Sequence, residues 1–294
     1  MVEYLFQQGE ISKGTFRKGA RLKSLDMHGV QGVESDLMDH HSLHEAVEGA
    51  DTVFSLASPM PGSGGDFEKV NTEGLMHVLE AAQELGVKTL VHLSTVDVCG
   101  FGVKGDVTPD SPTNPAPGYQ RAKLDGERVL REFAARNQSP RIVIVRAAKA
   151  FGAREPTFVI PVLKMMGSGK VTVPGTPSMS WSHPKDIAQA MLKAATKSDL
   201  KGNTFLVKSF DATPESLARS IIDASGSAAA VRKEGMFSRS DIARYASDQM
   251  KASLHFPEQE GWGDLGYKPE YDVQKSAADV AQWHKKEPWV TESQ

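Results

Sequence analysis

Thr89-Leu90-Val91-His92-Leu93-Ser94-Thr95 sets an apolar run, Thr89 to Leu93, directly before two hydroxyl residues, and Gly118-Tyr119-Gln120-Arg121-Ala122-Lys123 opens the next periodic segment. A short apolar run bounded by polar and turn residues reads as a buried strand. The segment from Tyr119 to Ala135 reads as a helix, set off from that strand by the Pro-rich loop Pro109 to Pro117. The same beat recurs outward in both directions. Upstream, Ile11 to Phe16 and Gly32 to Ser35 read as strands, Leu43 to Val47 as one face of a helix, and Thr52 to Ala57 as a buried strand. Phe67 to Leu85 carries Val70, Leu75, Val78, Leu79 and Ala82 at helical spacing and is closed by Gly86 at C′. Downstream, Arg141 to Val145 makes another buried strand. Strands alternating with helices predict a doubly wound α/β core with a parallel sheet over residues 1–150.

Beyond Phe151 the rhythm loosens. A helix is expected from Thr157 to Met166, a strand from Lys170 to Val173, a helix from Pro184 to Ala195 and a strand from Thr204 to Val207. Pro184 suits the first turn of its helix, and Asp186 lies near the positive end of that helix dipole, a structural place for a carboxylate. Ala228 to Leu254 reads as irregular with one helix, and Asp272 to Trp283 as a terminal helix. Residues 151–294 are therefore expected to form a smaller, mixed substrate-binding lobe, with some elements returning to the core.

Composition narrows the function classes. At 294 residues and 39% apolar content, the chain has enough material for a buried core. A net charge of −3, with both signs mixed and no Lys/Arg block, argues against nucleic acid and anionic membranes as partners and favours a small-molecule substrate. Cys99 is the only cysteine, which excludes an intramolecular disulfide and a thiolate-rich metal site and points to a reducing cytoplasm. No run of eighteen or more apolar residues and no leader pattern at Met1 to Gly9 is present.

Tyr119 and Lys123 carry the chemistry. On a helix, residues four apart share a face, so the Lys123 ammonium is expected to lie beside the Tyr119 phenol. A nearby cation favours phenolate and lowers a pKa that is ordinarily about 10, turning the phenol into a general acid/base. Thr95, at the end of its strand, is placed to hold a substrate oxygen. Alone, the Tyr-x3-Lys spacing also fits an ordinary amphipathic helix.

Context makes it specific. Gly32-Val33-Glu34-Ser35-Asp36-Leu37, Asp51-Thr52-Val53-Phe54-Ser55-Leu56-Ala57-Ser58-Pro59, Val70-Asn71-Thr72-Glu73-Gly74, Val91-His92-Leu93-Ser94-Thr95, the Tyr119/Lys123 pair, and Val145-Arg146 through Phe151-Gly152 occur in order. This series resembles the extended short-chain dehydrogenase/reductases of the NAD-dependent epimerase/dehydratase superfamily, which have a Rossmann-like fold. Ala57-Ser58-Pro59 and Phe151-Gly152-Ala153-Arg154-Glu155-Pro156 are closer to the 3β-hydroxysteroid dehydrogenase and dihydroflavonol reductase branch than to the sugar-nucleotide epimerases. The resemblance implies Tyr119 as general acid/base, Lys123 as ligand of the nicotinamide ribose and Thr95 as the group orienting the substrate carbonyl or hydroxyl. It places Asp36 and Leu37 at the adenine, and Leu56, Ala57 and Ser58 beside the ribose and pyrophosphate. The activity implied is hydride transfer between a nicotinamide and a secondary alcohol or carbonyl of a small, largely apolar substrate. A non-catalytic relative and a sugar-nucleotide epimerase or dehydratase are the alternatives, and family members often pair as homodimers.

Arg17 ends the first expected strand, where an acidic residue would bind the adenosine ribose 2′-hydroxyl of NAD. A guanidinium there, beside Lys18, suits a 2′-phosphate and suggests NADP, with NAD as the other choice. The family pattern otherwise opens with a strand and a Gly-rich turn that this chain does not show. Val2 to Gly9 reads as the end of the helix that would follow that turn. Gly14-Thr15-Phe16-Arg17-Lys18-Gly19 lacks the Lys-Ser/Thr of a P-loop, and Gly62-Ser63-Gly64-Gly65 has the wrong spacing, so both read as loops. In the order 3-2-1-4-5-6 the first strand is central, so its absence predicts a truncated or diverged chain with weak or absent dinucleotide binding, a gap closed by Ile11 to Phe16 against Thr52 to Ala57, or a short N-terminal segment conscripted in its place.

The remaining candidates read as structural. His40, His41 and His44 lie at a helix start among Asp39, Ser42 and Glu45, where capping and exposed polar residues account for them and no metal is expected. Cys99 reads as a small buried residue. Met165, Met166 and Phe158 suit either a greasy pocket or simple core. Ala147 after Arg146 departs from the family's usual proline.

Overall fold

Four parallel strands form the centre of the molecule, in the order β3 (Thr52–Ser55), β4 (Thr89–Thr95), β5 (Arg141–Ala147) and β9 (Thr204–Val207). The computed structural model describes residues 1–18, 30–59, 65–235, 242, 244–257 and 264–288. The Gly62–Gly64 part of the expected glycine loop, and Gly19, lie outside the described residues.

Layering follows from strand alternation. Leu90, Ile142 and Ile144 face one side, where they pack with Leu43 and Val47 of the His40–Val47 helix (α2), Val78, Leu79 and Ala82 of the Leu75–Glu84 helix (α4), and Leu130 and Phe133 of the Tyr119–Arg136 helix (α5). Val91, Val143 and Val145 face the other side, against Ala190, Met191 and Ala194 of the Pro184–Thr196 helix (α7). A sheet covered on both faces by helices is the doubly wound α/β architecture expected from the alternation. Gly126 lets α5 approach closely, since a Cβ there would lie 2.9 Å from the Asn71 carbonyl oxygen.

The Phe67 to Leu85 helix is built in three pieces: Phe67–Lys69 (α3), a π-helical turn over Val70–Gly74, and α4. Gly86 has φ +72, as its C′ role requires. Asn71, inside the π turn, is buried and donates to the Phe67 carbonyl at 2.8 Å and to Ser58 Oγ at 3.2 Å. The side chain thereby ties the helix to the segment after β3.

Two expectations about the first strands need correction. Lys13–Phe16 (β1) pairs in parallel with Gln31–Glu34 (β2) as a separate two-stranded sheet, and among the described residues neither pairs with β3. Ile11 to Phe16 therefore does not close against Thr52 to Ala57. The expected buried strand Thr52 to Ala57 stops at Ser55 and is half-buried throughout, because one of its edges has no hydrogen-bonded neighbour among the described residues. The helix at the N-terminus spans Val2–Gln7 (α1).

After residue 151 the chain builds a second apolar cluster around Phe151, Phe158, Trp181 and Ile221. Phe158 and Met165 belong to it and are buried, so they are core rather than pocket wall. Pro214–Ser225 (α8), Met179–Ser182 (β8) and Phe210–Ala212 (β10) are additions that the sequence patterns left unassigned. Ala228 to Leu254 contains a strand, Ala230–Lys233 (β11), parallel to Lys170–Val173 (β7), as well as the Arg244–Ala252 helix (α9). The terminal helix (α10) runs Val273–Lys286. Because β9 joins β5 and α7 covers the sheet, the second part of the chain also completes the first. Among the described residues no helix is long and apolar enough to cross a membrane.

Candidate active site

The carboxyl ends of β1 to β4 carry every candidate residue except the Tyr119/Lys123 pair. Arg17 follows β1, Asp36 and Leu37 follow β2, Leu56, Ala57 and Ser58 follow β3, and Thr95 ends β4. This is the side of a doubly wound sheet on which ligands bind. Tyr119 begins α5 just after Gly118, whose φ of +83 lets the loop turn into the helix.

Lys123 is the best-anchored group. Its ammonium is buried and donates to the Leu93 carbonyl at 2.7 Å and to His92 Nε2 at 3.1 Å. His92 in turn meets Ser55 Oγ through Nδ1 at 3.1 Å. Burial, reinforced by the Lys123 charge, holds the His92 pKa well below its ordinary value, so the ring is neutral. With Nε2 accepting from Lys123, the network assigns the ring proton to Nδ1, where it bonds Ser55. The pKa of Lys123 is brought down by burial to about 8, while the Glu127 charge pulls it upward.

The four-residue ladder of α5 continues past Lys123. Glu127 accepts from Arg146 Nε at 2.9 Å and Nη2 at 2.7 Å, from Ser94 Oγ at 2.6 Å and from Arg131 at 2.9 Å. Burial pushes this carboxyl up, and the hydrogen bonds and charge of Arg146 more than reverse the push, holding it below the ordinary range. Arg146, whose neighbour Ala147 departs from the family pattern, is thus a fixed support under β4 and α5. Residues Glu127 and Arg131 escaped the sequence reading although they repeat the Tyr119 to Lys123 spacing.

Asp97 is a third missed residue. It lies in the 3₁₀ turn Val96–Cys99 directly after Thr95, and its backbone N–H donates to Thr95 Oγ1 at 3.2 Å. Its buried Oδ2 accepts from Tyr245 Oη and Gln249 Nε2, both at 2.7 Å, while Oδ1 has no hydrogen-bond partner. Burial raises its pKa, and the two donors offset part of that rise. Both donors are four residues apart on α9 of the second lobe, where no signal in the sequence ties them to β4. Cys99, in the same turn, is buried, and burial raises its thiol pKa, which suits a packing role.

Tyr119 corrects an expectation. Its partly buried ring sits edge-to-face against Phe67 at 6.0 Å and Tyr245 at 5.5 Å, and Phe101 lies 5.8 Å from Tyr245. Burial and then the Asp97 carboxylate push its phenol up, the opposite of the lowering expected from Lys123. Burial of the phenol is the larger cause, and the Lys123 ammonium is engaged by His92 and the Leu93 carbonyl.

The cofactor-side residues have a different character. Arg17 is exposed, as are Ala57 and Leu56, the latter at 41%. Asp36 is exposed and its Oδ1 accepts from the Met38 N–H at 2.9 Å, the loop-capping role that competes with adenosine binding. Leu37 is half-buried and its carbonyl meets His77 Nδ1 at 2.9 Å. Ser58 is held by Asn71. The strand-end lip is thus exposed, with Leu56 in the open, while Lys123 lies buried.

Residues 1–207 match the NAD dependent epimerase/dehydratase family, and the chain belongs to that family, which uses NAD. Among its relatives are an uncharacterized protein y4nL of Sinorhizobium fredii, 31% identical over 219 residues (70% of this chain, 61% of the relative), and a sterol-4-alpha-carboxylate 3-dehydrogenase of Candida albicans, 28% identical over 201 residues (63% and 57%). The chain thus spans about three fifths of the length of these relatives. UDP-glucose 4-epimerase of Thermotoga maritima shares the fold with a TM-score of 0.80 at 18% identity, covering 98% of this chain and 94% of the epimerase. A dTDP-glucose 4,6-dehydratase of Bacillus anthracis does so at 0.78 and 17%, covering 98% and 93%.

Proposed function

We propose that this chain is an oxidoreductase of the extended short-chain type, acting on a secondary alcohol or carbonyl of a small, largely apolar molecule. The observation that carries this reading is the placing of Thr95 at the end of β4 and Tyr119 at the start of α5, with Lys123, one turn further along α5, anchored to His92 and the Leu93 carbonyl of that same strand. In this reading Thr95 holds the substrate oxygen and Tyr119 moves a proton at that oxygen. Lys123 supplies positive charge to the nicotinamide ribose. The chemistry a bound nicotinamide dinucleotide supplies here is hydride transfer. Phe67, Phe101 and Tyr245 give the Tyr119 surroundings an apolar aromatic wall, which supports a hydrophobic substrate over a polyhydroxylated one. The sterol dehydrogenase among the relatives points the same way. Arg17 at the end of β1 supports NADP as the preferred dinucleotide.

The test offers NADH and NADPH with two substrate panels, hydroxysteroids with ketosteroids and nucleoside diphosphate sugars. Cofactor-coupled turnover of the steroid panel is expected, falling about 10²–10⁴-fold in Tyr119→Phe. Interconversion of sugars without net change in the dinucleotide would assign the protein to the epimerase branch instead. Binding of dinucleotide without turnover of either panel would favour a non-catalytic relative.

A further inference from the structure

Away from the catalytic centre, two helices bring three metal-ligating side chains to one point. His40 and His44 are one turn apart on α2, so their imidazoles share a face, with ring centroids 4.7 Å apart. Glu84, the last residue of α4, reaches across from the neighbouring helix. Its Oε2 lies 2.6 Å from His44 Nε2 and 3.9 Å from His40 Nε2. All three ligand atoms fall within 4.8 Å of one another.

Capping does not account for these imidazoles. The N-cap of α2 is Asp39, whose carboxylate accepts from the His41 and Ser42 N–H groups. Both imidazoles instead face one carboxylate oxygen of Glu84, His44 at 2.6 Å and His40 at 3.9 Å. His41, the intervening residue, turns away to Glu45 at 3.4 Å. Below the cluster, Leu43 and Val47 of α2 and Val78, Leu79 and Ala82 of α4 are packed in one core, so the ligands stand on a rigid base.

We propose that His40, His44 and Glu84 bind a divalent transition-metal ion of the Zn²⁺ type and so clamp α2 to α4. Two imidazole nitrogens and one carboxylate oxygen suit Zn²⁺, whereas Mg²⁺ and Ca²⁺ favour all-oxygen shells. Bonds of about 2.0–2.2 Å place tetrahedral ligand atoms roughly 3.3 Å apart. The 2.6 Å contact therefore opens and the 3.9 Å gap closes, each by less than about 1 Å. Side-chain exposures of 49%, 31% and 54% for His40, His44 and Glu84 leave room for those torsions and for water at a fourth position.

The full chain, freed of metal by chelator and dialysed, is titrated with ZnCl₂ by calorimetry. One saturable site per chain is expected. His44→Ala and Glu84→Gln each weaken it by about tenfold or more, and His41→Ala leaves it unchanged. Visible absorption of added Co²⁺ provides a second readout, its ligand-field bands appearing with the wild type and lost in His44→Ala, while circular dichroism checks that each variant keeps its fold. No saturable uptake by the wild type, or uptake that survives both ligand substitutions, overturns the proposal.

Discussion

The two halves of the candidate site are built in opposite ways. Under the candidate chemistry lie two buried hydrogen-bonded groups, Lys123 with His92 and Glu127 with Ser94 and Arg146, in which each polar side chain is held by another. Along the cofactor lip, Arg17, Asp36, Leu56 and Ala57 are exposed, and Asp36 bonds only within its own loop and to Ser42. A buried polar network is costly to disturb, since removing one member leaves its partner desolvated and unpaired. An exposed lip has little to lose. The difference teaches that the half around Lys123 and Glu127 is fixed by folding, whereas the strand-end lip stands exposed with few side-chain contacts of its own.

The comparison breaks most readily at Glu127. Glu127→Gln leaves Arg146, 3% exposed in its side chain, without its ion-pair partner. Chemical unfolding is expected to show a loss of about 3–5 kcal/mol. Replacing Glu127 and Arg146 together by apolar residues should recover much of it; no recovery would mean that packing, not charge, dominates there.

Lys123 comes next. Its folded pKa, about 8, lies below its ordinary 10.5, so between these values the unfolded chain binds a proton that the folded chain does not. Stability from this group is therefore low at and below pH 8 and rises as the pH approaches 10.5, by roughly 2–4 kcal/mol. Lys123→Met should flatten that rise in urea unfolding measured across the window. An equally steep curve in the variant would place the titration elsewhere.

Gly126→Ala sharpens the packing side. The added methyl meets the Asn71 backbone oxygen at 2.9 Å, and an overpacking cost of about 1–3 kcal/mol is expected in the thermal midpoint. At the lip, Arg17→Ala should change stability by no more than about 0.5 kcal/mol while lowering the preference for NADPH over NADH in fluorescence titration. A shift in stability with no change in preference would assign Arg17 to the fold.

How far the sequence disclosed this contrast depended on distance along the chain. Tyr119 and Lys123 were legible because four-residue spacing is a local signal, and the same ladder extended would have reached Glu127 and Arg131. His92 and Ser94 were half-legible, since alternation in β4 aims both at one face. Asp97 was not, because its partners Tyr245 and Gln249 lie about 150 residues away. In the second lobe, Pro214–Ser225 was within reach: Thr213 caps it, Pro214 opens it and Gly226 closes it in the left-handed region. Met179-Ser180-Trp181-Ser182 was not, since its serines read as polar although all four residues are buried. The sign of the Tyr119 shift was not legible, because residue spacing gives the shared helix face but neither the burial of the phenol nor the charge of Asp97 that raise its pKa.

Asp97 has a consequence for how this protein changes over time. Both donors to its carboxylate come from α9, so the strand bearing Thr95 and the lobe expected to recognise substrate share one electrostatic debt. Exchanging that helix to admit a new molecule strands a charge beneath the reacting centre unless Tyr245 and Gln249, or equivalents, travel with it. The two donors, one turn apart on α9, thus bind the second lobe to the turn that follows β4.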